Sequence, residues 1–228
     1  MPDSGNWAAV AAALPMAARA ERERPFWQAL AAFWGWRKVV DAGCGAGFHV
    51  RLLGEIGVEA VGFDAVLAAV KDRAGARLMV ADVASPPLRD KAFDAALCVG
   101  NTLSLLPSRA AQRGALDAMA RAVRPGGVVV LQGEDAGELV ARGSVVRTRR
   151  LSDGALHVRV FEHFGRRVRM LAGAVRDGAE SPLETTLLLP TSSVVLARMS
   201  RDLGLERVVL PLTPPGGDVT WWFVLSVP

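Results

Sequence analysis

Residues 39–48 read VVDAGCGAGF, an apolar run that closes on an acid and is followed by Gly43, Gly45 and Gly47 at every second position. Glycine tolerates positive φ and, lacking a Cβ, lets another group approach the backbone. Between a strand and a helix, such a turn aims the helix N-terminus at a ligand. The segment therefore demands a strand before it, a helix after it, and a binding edge between them. It is not a dinucleotide fingerprint, G-x-G-x-x-G, whose third glycine permits close helix–strand packing. The residue three after Gly45 is Phe48, so the spacing here is G-x-G-x-G. The turn also lacks a P-loop lysine.

The alternation that begins there continues. RKVVDAG is a short apolar strand, FHVRLLGEIG a helix closed by Gly57, VEAVGFD a strand ending at Asp64, and AVLAAVKDRA a helix. ARLMVADV is a strand ending at Asp82, and FDAALCVG a strand that is apolar from Ala95 to Val99. SRAAQRGALDAMARAV predicts a helix with Ser108 as N-cap and Leu116, Met119, Ala120 and Val123 on one face. RPGG at 124–127 reads as a turn before the strand VVVLQG. Apolar strands alternating with helices imply a parallel sheet covered on both faces. Open α/β sheets bind ligands at the carboxyl ends of their strands. Asp41, Asp64, Asp82 and the pair Gly100 and Asn101 all fall at such ends.

Upstream, residues 7–14 and 16–35 are alanine-rich helical stretches separated by Pro15, and Pro25 opens a stretch in which Phe26, Leu30, Phe33 and Trp34 form a stripe expected to pack over the sheet. Beyond residue 143 the period becomes two, with Asp-Gly pairs at 153–154 and 177–178 that signal hairpins. An antiparallel meander over residues 144–190 is expected, then a helix capped by Thr191 and ended by Gly204, then closing strands in ERVVLPL and TWWFVLSV. The 228 residues read as one domain. The expected fold is α/β: a Rossmann-like, mostly parallel sheet with helices on both faces and an antiparallel β insertion before the last helix and strands. Residues 1–36 are expected to cover the pocket.

In order along residues 35–135, VVDAGCGAGFHVRLL, VGFDA, MVADV, FDAALCVGNTLSLL and AVRPGGVVVL resemble the motifs of the class I S-adenosylmethionine-dependent methyltransferases. The resemblance implies that Asp41, Gly43, Cys44, Gly45 and Gly47 surround the methionine end of S-adenosylmethionine. It implies that Asp64, with Ala65 beside it, binds both ribose hydroxyls, and that Asp82 receives the adenine amino group with Val83 against the ring. Val99, Gly100 and Asn101 would complete the cofactor site, with Asn101 also positioning the reactants. S-Adenosylmethionine is then the co-substrate, S-adenosylhomocysteine the product, and no metal is expected. Acids suit a ribose diol, an amino group and an ammonium, whereas a pyrophosphate calls for donors and cations. VGNTLSLL lacks the N/D-P-P-Y/F string of enzymes that methylate base amines. It looks more like that of small-molecule, glycine N-methyltransferase-like members, where a similar β insertion covers the substrate. A small-molecule acceptor is therefore expected. The chain has no tyrosine, so a polar group near the transferred methyl would come from Asn101, Thr102, a histidine or the backbone.

Three other readings compete: a non-catalytic module binding S-adenosylmethionine or S-adenosylhomocysteine, an RNA methyltransferase, and a nicotinamide-dependent reductase, which the missing third glycine disfavours. RTRR (147–150) and RRVR (166–169) would suit a phosphate stripe. Few aromatics interleave with them, and the net charge is only +4, which disfavours nucleic acid and leaves a solvated basic face or a pocket for an acidic substrate. His157 and His163 share one face of HVRVFEH and are expected to face solvent on an edge strand, while His49 is expected simply to start a helix. Cys44 and Cys98 have no metal-ligand spacing and suit a reducing compartment, hence the cytoplasm. Residues 2–6, PDSGN, lack the positive region of a signal peptide. No apolar segment reaches the ~20 residues of a membrane span, and no membrane partner is expected. The oligomeric state is not legible.

Overall fold

The apolar runs of the first half assemble into one sheet whose central runs are buried on both sides, while the edge run Arg77–Val80 is largely exposed. The computed structural model describes residues 16–66, 77–151, 153–176, 183–210, 212–215 and 220–228. β1 (Lys38–Ala42) lies centrally, parallel to β2 (Glu59–Asp64) on one side and to β4 (Phe93–Cys98) on the other. β3 (Arg77–Val80) extends the sheet beyond β2, and β5 (Val123–Glu134) beyond β4, both in parallel. β11 (Thr220–Ser226) pairs antiparallel with β5, and β10 (Glu206–Val208) antiparallel with β11. The order is β10-β11-β5-β4-β1-β2-β3. Strand order reverses between β1 and β4, which is where a crevice opens at the carboxyl edge of such a sheet.

Successive strand residues face opposite layers. Val39, Ala95, Leu97, Val128, Val130 and Val224 pack on one side with α1 (Met16–Trp34) and α2 (Phe48–Glu55). Val40, Ala96, Cys98, Val129, Leu131 and Phe223 pack on the other with α4 (Arg109–Ala122) and α6 (Ser193–Asp202). Two short helices, α3 (Thr102–Leu105) and α5 (Ala136–Leu139), follow β4 and β5 at the carboxyl edge. No described helix is long and apolar enough to cross a membrane.

The helix expected over residues 16–35 is present as α1, which runs through Pro25. The structure corrects several other local expectations. The buried face of α1 is Glu23, Phe26, Trp27, Leu30 and Ala31, and Phe33, at the margin of that stripe, is 65% exposed. RPGG is not a turn ahead of the strand but a bulged part of β5. Gly126 takes φ +77 and donates to the Val227 carbonyl, and a Cβ on Gly127 would collide with the Asp94 carbonyl, so the chain stays against β4. Ser192, not Thr191, caps α6, its hydroxyl accepting from the Val195 amide. Thr191 is buried instead, donating to the Leu189 carbonyl and accepting from Gln112 Nε2.

The second half of the chain forms a separate antiparallel sheet, β6 (Val145–Arg150), β7 (Leu156–Phe164), β8 (Arg167–Val175) and β9 (Glu184–Leu188). Asp153 and Gly154 lie in the β6–β7 turn, with Gly154 at φ +83, while the β7–β8 turn uses Gly165. β7 is therefore an interior strand, not an edge strand, and His157 is buried, while His163 near its end is exposed. The helix expected at 7–14, the Asp-Gly pair 177–178 and residues 67–74 of the second predicted helix lie outside the described residues.

Candidate cofactor and acceptor site

The turn after β1 is pinned to the end of β2. The amides of Gly43 and Cys44 donate to the Phe63 carbonyl at 2.8 and 3.0 Å, and Gly43, Gly45 and Gly47 take φ +75, +52 and +78. The three glycines serve different ends. A Cβ on Gly43 would overlap the Thr102 side chain, and one on Gly47 would come within 2.9 Å of Leu78. A Cβ on Gly45 would meet nothing within 4 Å. Gly43 and Gly47 are thus explained by packing, and Gly45 alone faces open space.

Asp64 lies beside that space. Its Oδ2 accepts from the Gly45 amide and its Oδ1 from the Val66 amide, both at 2.9 Å. Each oxygen retains a lone pair, and the residue is half-buried. Asp82 is exposed two residues past β3, with Oδ1 accepting from the Ala84 amide at 2.8 Å, and Val83 is buried beside it. Ala65 is exposed at the end of β2. Across the crevice, Val99 is buried and its carbonyl accepts from Thr102 Oγ1 at 2.9 Å. Gly100, at φ +76, has open space where a Cβ would stand. These carboxylates, amides and open backbone positions fit a ligand bearing hydroxyl and amino groups.

Two expected contacts look different in three dimensions. Asp41 is fully buried, neither oxygen takes a hydrogen bond among the described residues, and the nearest cation is His49, whose Nδ1 lies 3.7 Å from Oδ2. It faces His49, not the open side of the turn. Cys44 is buried with its sulfur toward Gly62, so only its backbone is presented. Burial, with Asp41 and Asp64 nearby, pushes its thiol well above the ordinary range and leaves it protonated.

His49 is therefore more than a helix-start residue. Its Nε2 is 3.5 Å from Glu23 on α1, and Trp27 packs edge-on at 5.1 Å. Burial disfavours the imidazolium, but Asp41 and Glu23 on either side outweigh it and raise the His49 pKa. Burial likewise raises the Glu23 carboxyl, yet His49 and Arg19 hold it at about 2. Arg19 Nε bonds Glu23 at 2.7 Å. An alternating array, Arg19–Glu23–His49–Asp41, thus runs from the N-terminal helix to the strand beneath the glycine turn.

Asn101 sits at φ +71 as the N-cap of α3. Its Oδ1 accepts from the Glu134 amide and its Nδ2 lies 3.5 Å from Glu134 Oε2, so the side chain ties the end of β4 to the end of β5. Glu134 is the residue that the sequence reading missed, although the strand-end rule applied to the fifth strand points to it. Arg147 Nη1 forms an ion pair with its Oε1, and Arg159 Nη1 stands 3.8 Å from its Oε2. Two surface clefts on the flanks of the sheet, one lined by Val40, Val61, Met79 and Phe93 and the other by Arg51, Glu55, Glu59 and Arg77, do not include these residues.

Residues 40–131 match the methyltransferase domain family. A search of curated proteins found no match. Among solved structures the chain is similar to DesVI of Streptomyces venezuelae, with TM-score 0.75, 20% identity and 92% of each chain covered. It is similar to CalS10 of Micromonospora echinaspora, an amino pentose methyltransferase solved with S-adenosylmethionine bound, at TM-score 0.65 and 24% identity over 93% of this chain and 90% of that one. It is also similar to KedS8 of Streptoalloteichus sp., a sugar N-methyltransferase, at TM-score 0.68 and 23% identity over 92% and 87%. These likenesses show the fold. The matched methyltransferase-domain segment spans β1 to β5, the strands whose carboxyl ends carry the glycine turn, Asp64 and Asn101.

Proposed function

We propose that the chain transfers a methyl group from S-adenosylmethionine to a small-molecule acceptor by in-line displacement, at the crevice between the ends of β1 and β4. The observation that carries the reading is the Asp64 carboxylate, held by two backbone amides beside the open face of Gly45. When bound, S-adenosylmethionine supplies a methyl carbon on a positive sulfur, whose displacement depends on alignment and exclusion of water.

In this reading Asp64 accepts from the ribose hydroxyls, with Ala65 beside it. Asp82 and Val83 hold the adenine. The backbone of Cys44, Gly45, Val99 and Gly100 lies along the methionine end. Asp41 acts indirectly, through His49 and α1, and Gly43 and Gly47 shape the turn. Asn101 keeps the loop after β4 in place through Glu134. In this reading α1 and the four-stranded sheet enclose the acceptor. A small molecule is favoured because the same fold carries an amino pentose methyltransferase and a sugar N-methyltransferase. Cys44 and Cys98, both free and buried, suit the cytoplasm.

Calorimetry on the purified chain tests this. S-Adenosylmethionine and S-adenosylhomocysteine are expected to bind, and Asp64→Ala to weaken both by about tenfold or more, the loss of hydrogen bonds to a charged group. Asp64→Asn, which keeps an acceptor oxygen for one of the two amides but sets its NH2 against the other, should also weaken binding, and circular dichroism of both variants reports whether they fold. No binding by the wild type refutes the function, and unchanged affinity in both variants refutes the ribose assignment.

A further inference from the structure

Resting on that reading, we infer that the methyl acceptor carries an anionic group, a carboxylate or a phosphate, held by Arg147, Arg149 and Arg159 on the inner face of the four-stranded sheet. In the β6–β7 register Arg147 stands opposite Arg159, and Arg149 opposite His157. Directly opposed side chains share a face, and like charges so placed destabilise a sheet. The fold nevertheless turns this face inward, because its other members, Phe161, Val168 and Leu188, pack with Ala136 and Val140 around α5. The basic end of the face lies beyond that apolar patch.

Glu134 is the carboxylate that meets this group, and it faces two guanidiniums at once. Arg149, exposed at the margin, pairs with no carboxylate among the described residues. Glu184, also on this face, stands across Ala172 from Arg159, two strands away, or about 10 Å. Among the carboxylates seen to meet these arginines in the described residues, Glu134 stands against three guanidiniums, an excess of positive charge. The strain registers on Arg159: burial depresses its pKa, Glu134 opposes the shift, and Arg147 and Arg149 add to it. His157 is also depressed, by burial and then by Arg159 and Arg149, and stays neutral at pH 7. An ion-pair staple joining two sheets would need one arginine. A further carboxylate or phosphate, which guanidiniums bind bidentately, would balance the group.

The location suits an acceptor. Glu134 is bonded to Asn101, and the next residue, Thr102, reaches back to the Gly43 carbonyl at 3.5 Å. The arginines are thus one carboxylate removed from the loop that closes on the glycine turn. An anion held there leaves the rest of a small molecule pointing at the crevice.

The test uses the purified full chain, methyl-labelled S-adenosylmethionine, and a metabolite extract split at neutral pH on an anion-exchange resin. Label is expected in acceptors from the bound fraction; phosphatase treatment beforehand abolishes labelling for a phosphate and spares it for a carboxylate. Once an acceptor is isolated, Arg149→Gln and Arg159→Gln should each raise its KM about tenfold or more, with the Kd for S-adenosylmethionine within about twofold of wild type. Arg149→Gln, at an exposed position, separates recognition from folding. Label confined to the unbound fraction, RNase-sensitive label, or unchanged KM in both variants overturns the inference while the methyltransferase reading stands. Absence of S-adenosylmethionine binding overturns both.

Discussion

Gly45→Ala separates the packing roles in the glycine turn from its ligand role. At φ +52 with nothing within 4 Å of the new methyl, the substitution meets only backbone strain. A left-handed conformation costs a non-glycine residue about 1–2 kcal/mol. At ~2–4 °C per kcal/mol for a chain of this size, the melting temperature should fall by about 2–8 °C. Gly57→Ala, at φ +85 beyond α2 and also facing open space, should lose a similar amount. Gly43→Ala should lose more, because its methyl would also overlap Thr102, and overpacking adds about 1–3 kcal/mol. The three separate in calorimetry with S-adenosylmethionine. Gly57→Ala should bind like wild type, and Gly45→Ala should bind about tenfold or more weakly, the same overpacking cost now falling on the ligand. If Gly45→Ala binds as tightly as Gly57→Ala, the open space beside Asp64 is not where the cofactor lies.

The Glu23–His49 array predicts a two-sided pH dependence. The Glu23 contribution is complete above its unfolded value of 4.5 and is lost as pH falls toward about 2, a difference of about 3 kcal/mol. The contribution of His49, whose pKa is raised, is complete below 6.5 and is lost as pH rises through its folded value. In urea unfolding across a pH series, Glu23→Gln should reduce the acid loss, Asp94 retaining its own share, and bring the alkaline loss to lower pH; unchanged limbs would refute the array. Asn101→Gly should be more stable than Asn101→Ala by about 1 kcal/mol, since both lose the bond to Glu134 but only alanine opposes φ +71. Equal stabilities would show that the backbone at 101 relaxes.

Much of the fold is legible because it rests on local periodicity. Continuous apolar runs marked the parallel strands, and the acids at their ends marked the edge, so Asp64 and Asp82 stand there. Boundaries were less legible where neighbours compete for one role. Thr191 and Ser192 are both capping types, and which hydroxyl faces a free amide depends on Gln112, 79 positions away in sequence. The helix expected over residues 16–35 stands, its passage through Pro25 supported by burial of Phe26 and Trp27 against the sheet.

The amino-acid sequence by itself determined the glycine turn, the strand–helix alternation and the carboxylates at the strand ends, because φ preference and side-chain period act between near neighbours. Only the tertiary structure decided that Asp41 faces His49, that Glu23 closes that array from the N-terminal helix, and that the RTRR strand turns Arg147 inward onto Glu134. Each of those outcomes depends on which face of an element is covered, and that is set by the apolar area of distant segments competing for the same core.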